Sequence, residues 1–403
     1  MRRILLISPI PTHPQIAGNR TRIQRLLTTL RGMGHEVHFV CVNTEPWKAD
    51  EAVMARWWGE HFHPVNYRHP PRSILRYINR LRFVFEPGFL EILPVDYRYD
   101  EALDPVLDDL QRRFAFDTVI VEYIFWSKAL ERFDNRVLKV IDTHDVFTRR
   151  HLLYRKAGQA YGWYCTTAAE EAKALNRADV IIAIQDQERE YFSALTRKPV
   201  VTVRHIAPLA PLPEARTQEP RLLFIGSDAG TNIHGLRTFL AEIFPRIRAK
   251  VPDAHLDIVG PVCSAVEDAD ECTKHGIADD IQSIYAAASV VINPIRFSTG
   301  LSIKTIEALG YGKALVTTTA GSRGLEDGAN AAFLLADDPD AFARAVIDLL
   351  RDKEKRTRLI GNALEYVKKW NEQSFRTLSS VLEAPSSPSF SQRPAYAHGG
   401  RGE

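Results

Sequence analysis

Long apolar runs are missing from this 403-residue chain. No stretch approaches the roughly 18 apolar residues of a membrane span. Cysteine is scarce: Cys41, Cys165, Cys263 and Cys272 form no CxxC pair and have no ligand partners at zinc spacing. Neither a disulfide framework nor a cysteine zinc site is expected, only thiols in a reducing compartment. An excess of one charge is lacking too. Lys plus Arg number 52 and Asp plus Glu 50, a net charge of +2, so no nucleic-acid partner is implied. GxGxxG and GxxxxGK[ST] are both absent, which removes the dinucleotide fingerprint and the P-loop. No DxD-like carboxylate pair suggests a metal site, and no repeat of solenoid length occurs. The apolar run in "MRRILLISPIPTHP" is too short for a signal peptide, and Pro9 and Pro11 follow it at once. A buried first strand in a cytoplasmic protein is expected.

The remaining composition, 45% apolar and 25% charged, is that of a globular protein, and the length suggests two domains. Short β-branched runs alternate with helical patterns. Strands are expected at 3–8, 36–42, 117–123, 137–143, 179–184 and 199–205, with a helix over 19–34. The stretch 206–220 holds four prolines and reads as a linker. A second series follows, with strands at 221–226, 255–260 and 288–294 and helices at 233–250, 340–352, 354–370 and 372–384. This is the pattern of two α/β domains with parallel sheets. The expected boundaries are 1–206, 207–369, a helix over 370–384, and a Pro/Ser/Gly-rich disordered tail over 385–403.

Residues 298–318, "STGLSIKTIEALGYGKALVTT", carry the clearest chemistry. They follow a strand, pass Gly300, and enter a helix. The N–H groups of Leu301, Ser302 and Ile303 would be first-turn donors, and with the helix dipole they suit a phosphate. Glu307 could accept hydrogen bonds from a ribose diol, and Lys304 could add a point charge. The plain alternative is an exposed i,i+3 pair. A second stretch, "VIDTHDVF" (140–147), puts Asp142, His144 and Asp145 at a strand's carboxyl end, where α/β sheets bind ligands. His144 beside Asp145 is a usable proton-transfer or hydrogen-bonding pair. The alternative has His144 as a helix cap and Asp142 paired with Arg149 or Arg150. Residues 68–90 mix Arg68, Arg72, Arg76, Arg80 and Arg82 with apolar residues. They could form a basic amphipathic helix for an anionic membrane surface or a core helix with a solvated basic face.

The motif "GLSIKTIEALGYGKALVTTTAGSRGL" resembles the donor-nucleotide motif of retaining glycosyltransferases of the GT-B fold, of the family 4 type. Glu307, Ala308, Gly312 and Val316 match its second half. The first Glu of the family pattern is absent, with Thr299 in its place. The TGLxxK form resembles a bacterial subgroup associated with exopolysaccharide and surface-glycan assembly. "FIGSDAGTNIHGL" (224–236) resembles the donor domain's first loop, with Gly226, Ser227 and Asn232 facing the cleft. Ser227 and Asn232 stand where relatives carry Arg and Lys, so Lys304 or Arg296 is expected to supply that charge. Asn232 also reads as a helix N-cap. Gly321 and Gly324 resemble a further donor loop, and Gly18 the glycine after the first strand. Asn19 reads as a cap, and Arg20 and Arg22 as solvated.

The resemblance implies transfer of a sugar from a nucleoside-diphosphate donor, UDP among the candidates, to a glycan or lipid-linked acceptor. Retention, with no metal or other cofactor, is implied. Lys304, His144 and Asp145 are the catalytic candidates, and peripheral membrane contact would run through 68–90. Two alternatives stay open: a sugar-nucleotide epimerase on the same fold, and a non-catalytic nucleotide- or glycan-binding relative.

Overall fold

The computed structural model describes residues 1–44, 49–67, 83–158, 161–213, 220–269, 271–278 and 280–383. Two parallel sheets organise them. The first runs β3-β2-β1-β4-β5-β6-β7: β1 Arg3–Ser8, β2 Glu36–Asn43, β3 Phe62–Asn66, β4 Thr118–Glu122, β5 Leu138–Asp142, β6 Val180–Ala183 and β7 Val200–Thr202. The second runs β10-β9-β8-β11-β12-β13: β8 Arg221–Ile225, β9 His255–Val259, β10 Cys272–Gly276, β11 Val290–Asn293, β12 Ala314–Thr317 and β13 Leu334–Leu335. Every pairing is parallel. Helices cover both faces, so the central strands are buried and apolar along their length. This is the GT-B architecture: two Rossmann-like α/β domains with their sheets' carboxyl ends turned to a shared cleft.

Apart from β7, which falls within the expected 199–205, the edges are what the sequence pattern concealed. β3 (FHPVN) and β10 (CTKHG) are polar, half-covered strands. Pro64 is tolerated in β3 because an edge strand needs only one set of ladder bonds. The helix expected over 233–250 is three pieces: Gly230–Thr238, a π-turn at Phe239–Ile243, and Phe244–Arg248. Pro245 has no N–H to give the preceding turn, and the register slips there. The two last helices are one, Lys353–Glu383, since neither Pro nor Gly interrupts the chain at 371.

That long helix serves both domains. Leu359, Ala363, Val367 and Trp370 pack with the second domain. Leu378, Val381 and Leu382 join the first domain's core, and the Arg2 guanidinium donates to the Leu382 carbonyl. The linker crosses at the same place. The Trp370 indole donates to the His205 carbonyl at 2.7 Å. The Asn371 amide accepts from Ala207 N–H at 3.0 Å and donates to its carbonyl at 2.9 Å. Gly310 lets the linker lie against the helix Ile303–Gly310, because a Cβ there would stand 1.9 Å from the Pro208 carbonyl oxygen.

The basic segment expected over 68–90 lies, up to residue 82, outside the described residues, as does the expected tail. Residues 83–90 are turns leading into a single 3-10 turn at Phe89–Glu91, not a long helix. Phe85 and Leu90 face solvent there, 97% and 69% exposed. No helix among the described residues is long and apolar enough to cross a membrane.

Candidate active site

In doubly wound sheets, ligands bind where the strand order reverses. Those points are β1/β4 in the first sheet and β8/β11 in the second. The loops at both points line one cleft of about 900 Å³. It brings together Gly18, His144 and Asp145 from one domain and Gly226, Ser227, Asn232, Gly300, Leu301, Ser302, Ile303, Lys304 and Glu307 from the other.

On the second domain's side, Asn293 at the end of β11 builds the loop. Its amide donates to Ser302 Oγ at 3.0 Å, Thr305 Oγ1 at 3.0 Å and the Gly321 carbonyl at 3.3 Å. Ser302 thus spends its hydroxyl inside the protein and makes no cap for the helix Ile303–Gly310. The N–H groups of Leu301, Ser302 and Ile303 have no hydrogen-bond acceptor among the described residues. An uncapped helix start facing a cleft is an anion site. Lys304 Nζ sits 2.6 Å from Asn232 Oδ1 and 4.6 Å above the Phe224 ring. Burial pushes its pKa down to about 7. Glu307 remains partly exposed, with the buried His205 ring nitrogen 3.6 Å behind it.

Across the cleft, a Cβ on Gly18 would stand 3.2 Å from Ile303 Cδ1, so the first-strand loop reaches the helix Ile303–Gly310. His144 has φ +62° and Tyr123 φ +71°, conformations costly for side-chain-bearing residues and concentrated at functional sites. The Asp145 N–H donates to the Thr143 carbonyl at 2.8 Å, closing a γ-turn centred on His144. The imidazole stacks on Tyr123 at 4.1 Å and bonds the buried Glu122 carboxyl. Burial, then Asp142, raises the Glu122 pKa against the opposing pull of His144 and Arg22. Arg22 clamps both Asp142 oxygens, at 2.9 and 2.8 Å.

Several expectations need correction. Arg296 does not line the cleft; its guanidinium turns to Glu242 at 3.6 Å. Thr299 is absent from the cleft wall too, its hydroxyl accepting from Arg150 at 2.6 Å. Gly321 is absent from the cleft wall, and a Cβ there would meet Thr317 Oγ1 at 2.3 Å. Asn232 is no N-cap: Ala229 takes that position, and the Asn232 amide donates to Ser227 carbonyl and hydroxyl oxygens. Asn19 donates to the Tyr123 hydroxyl at 3.0 Å and its Oδ1 accepts from the Arg20 N–H at 2.9 Å, although the N-cap position itself falls on Ala17, which offers no capping side chain. Arg20 and Arg22 are buried, and Asp142 pairs with Arg22 rather than Arg149 or Arg150. His144 caps no helix.

Three residues escaped the sequence reading. Arg25 lines the cleft; its spacing of seven from Gly18 along one helix face was the available signal. Arg150 pairs with Asp145 at 2.7 Å. Glu188, pushed up to about 8 mainly by burial, accepts from the Gln185 amide at 2.9 Å. Glu122, Asp142 and His144 place ligand atoms near one another. Arg22 already occupies both Asp142 oxygens, so that set fits an internal ion pair better than a metal.

The chain's likenesses agree with this geometry. Residues 17–207 match the family described as "Glycosyl transferase 4-like domain", and 219–352 match "Glycosyl transferases group 1". An uncharacterized 44.6 kDa protein of a Klebsiella pneumoniae cps region is 22% identical, over 95% of this chain and all of that protein. Sucrose-phosphate synthase from Thermosynechococcus elongatus superposes with TM-score 0.65 at 16% identity, covering 94% of this chain and 98% of that one. Anabaena HepE, solved with UDP and glucose, gives 0.61 at 13% identity, over 94% and 100%. The pneumococcal O-GlcNAc transferase GtfA, solved with UDP and GlcNAc, gives 0.64 at 11% identity, over 95% and 100%. The chain therefore belongs to the group 1, family 4-type glycosyltransferases of the GT-B fold.

Proposed function

We propose that the chain moves a sugar from a nucleoside-diphosphate donor to a glycan or lipid-linked acceptor, with retention at the anomeric carbon and no catalytic metal. The observation that carries this reading is the uncapped helix start beside Lys304 and Glu307, opposite Gly18. The diphosphate lies on the Leu301–Ile303 N–H groups, and Glu307 accepts from the ribose hydroxyls. The anomeric carbon–phosphate bond breaks, its electron pair goes to the phosphate oxygen, and helix dipole and Lys304 take the developing charge. The acceptor oxygen bonds on the same face and its proton passes to the leaving phosphate. His144, held by Glu122 and Tyr123, orients the acceptor or the sugar.

Asp145 answers the missing first Glu of the family motif. A Cβ on Gly300 would stand 2.8 Å from Asp145 Oδ1, so the first domain brings a carboxylate to the loop where Thr299 has none. We assign it to the donor sugar's hydroxyls. HepE and GtfA were solved with UDP, which favours a uridine donor here. The cps-region relative favours a surface polysaccharide as product, assembled at the cytoplasmic membrane face. The exposed Phe85 and Leu90 supply apolar contact for peripheral attachment. The test is donor turnover. Glu307→Ala and Lys304→Ala should each lower kcat/KM about 100-fold or more, the scale of losing one charge-stabilising group. Unchanged turnover in both would remove the site assignment.

A further inference from the structure

Far from the cleft, at the amino ends of β2 and β3, four ligand-type side chains meet on one sheet face. Glu36 and His38 are two residues apart on β2, so period-two alternation points them the same way, while His61 closes the 3-10 turn Gly59–His61 before β3 and His63 lies within that strand. The parallel register pairs Phe39 with Phe62, which sets His38 beside His61. Their rings lie 4.5 Å apart edge to face.

We propose that Glu36, His38 and His61 form a binding site for a zinc-class divalent cation. One atom from each, the Glu36 carboxylate oxygen and a nitrogen of His38 and of His61, lies within 4.8 Å of the others. The His38 Nε2 to Glu36 Oε1 separation is 3.1 Å, close to the roughly 3.3 Å between two ligands on a tetrahedral ion with 2.0–2.1 Å bonds. The second shell is also present. A metal-ligating histidine donates its other ring N–H to an acceptor, which fixes tautomer and orientation. His38 Nδ1 faces His63 Nε2 at 2.9 Å, so His63 plays that part. Phe114 and Phe116 back the His38 ring at 4.3 and 5.1 Å and shelter it from water. Glu60 adds negative potential at His38, and Arg113 opposes it from the His63 side.

The donor set decides the ion class. Two imidazoles and one carboxylate, without thiolate, suit zinc, cobalt or nickel; magnesium and calcium prefer an all-oxygen shell. The fourth position is open to water. Because the cleft occupies the opposite, carboxyl end of the sheet, the ion's role is to staple the edge strand β3 to β2. It takes no part in transfer.

The untagged full-length protein, stripped with chelator and dialysed, should bind one equivalent of zinc in a calorimetric titration. Cobalt(II) in its place should give the intense visible bands of a four- or five-coordinate site. His61→Ala and Glu36→Gln should each lower zinc affinity about 10–100-fold or abolish binding, and His63→Leu should do so about 10–100-fold through the second shell. Zinc should raise the melting temperature of the wild type and leave that of His61→Ala unmoved. Circular dichroism in chelator checks that each variant folds. Should His61→Ala misfold, Glu36→Gln, which keeps the side chain's size, carries the comparison. Less than one equivalent in the wild type, or wild-type affinity in both ligand variants, overturns the site and leaves a hydrogen-bonded imidazole cluster.

Discussion

The proposed donor site makes Lys304 a link between protonation and ligand binding. Burial lowers its folded pKa to about 7, from the ordinary lysine value of 10.5. Between those two pH values the unfolded chain holds more protons than the ligand-free protein, so this group's contribution to stability improves as pH rises through that window. A diphosphate bound as proposed should reverse the balance by favouring the ammonium. Nucleoside-diphosphate binding at pH 8 should therefore take up close to one proton, seen as a dependence of calorimetric enthalpy on the buffer's ionisation heat. Lys304→Met should remove that dependence. Lys304 and Glu307 were legible as cleft residues because they sit at fixed steps after a glycine loop, although they form no pair: Lys304 bonds Asn232 and Glu307 faces His205. Arg296 misled because proximity in sequence says nothing of direction: its side chain leaves the loop toward Glu242. Arg20 and Arg22 misled because charged residues are seldom buried without partners, and the partners, the loop carbonyls of His13 and Pro14 and the Asp142 carboxylate, are remote or backbone groups.

Among elements, central strands such as RILLIS and VVIN were readable because both faces are buried and nothing polar is admitted. Polar edge strands were not: CTKHG alternates partly covered and exposed residues like a loop, whereas the edge strand Val200–Thr202 falls within the expected 199–205. The final helix was read as two pieces because one residue range served two hydrophobic faces, one for each domain. That division of labour predicts a polarised response. Leu378→Ala, at 0% exposure within the first domain's core, should cost about 2–5 kcal/mol. Chemical denaturation followed by fluorescence of first-domain tryptophans such as Trp126 should show the loss, while the second domain keeps its transition. A single shared transition would mean the two cores unfold together.

For the whole molecule, the two-domain plan followed from alternating strands, helices and a proline-rich linker, whereas the pairing of cleft walls came only with the coordinates. Asp145 approaching Gly300 and Gly18 approaching Ile303 join residues about 150 and 285 positions apart, and no local pattern encodes that. The cleft predicts its own calorimetry. Among UDP, GDP, dTDP, ADP and CMP, UDP should raise the melting temperature most, since a ligand of the native state stabilises by mass action. Glu307→Ala should blunt the shift. Equal, absent shifts for all five would count against a preformed donor site.

The crossing point bears on how such a cleft can open. Two passes of the chain, at 205–207 and 370–371, are tied to each other by three hydrogen bonds. A body held on another by two separate cords can slide and twist; knotted together, the cords leave essentially one freedom, rotation about the knot. The domains are then joined like the covers of a book bound along a short spine, and rotation about that spine is the motion expected to widen or narrow the cleft between them.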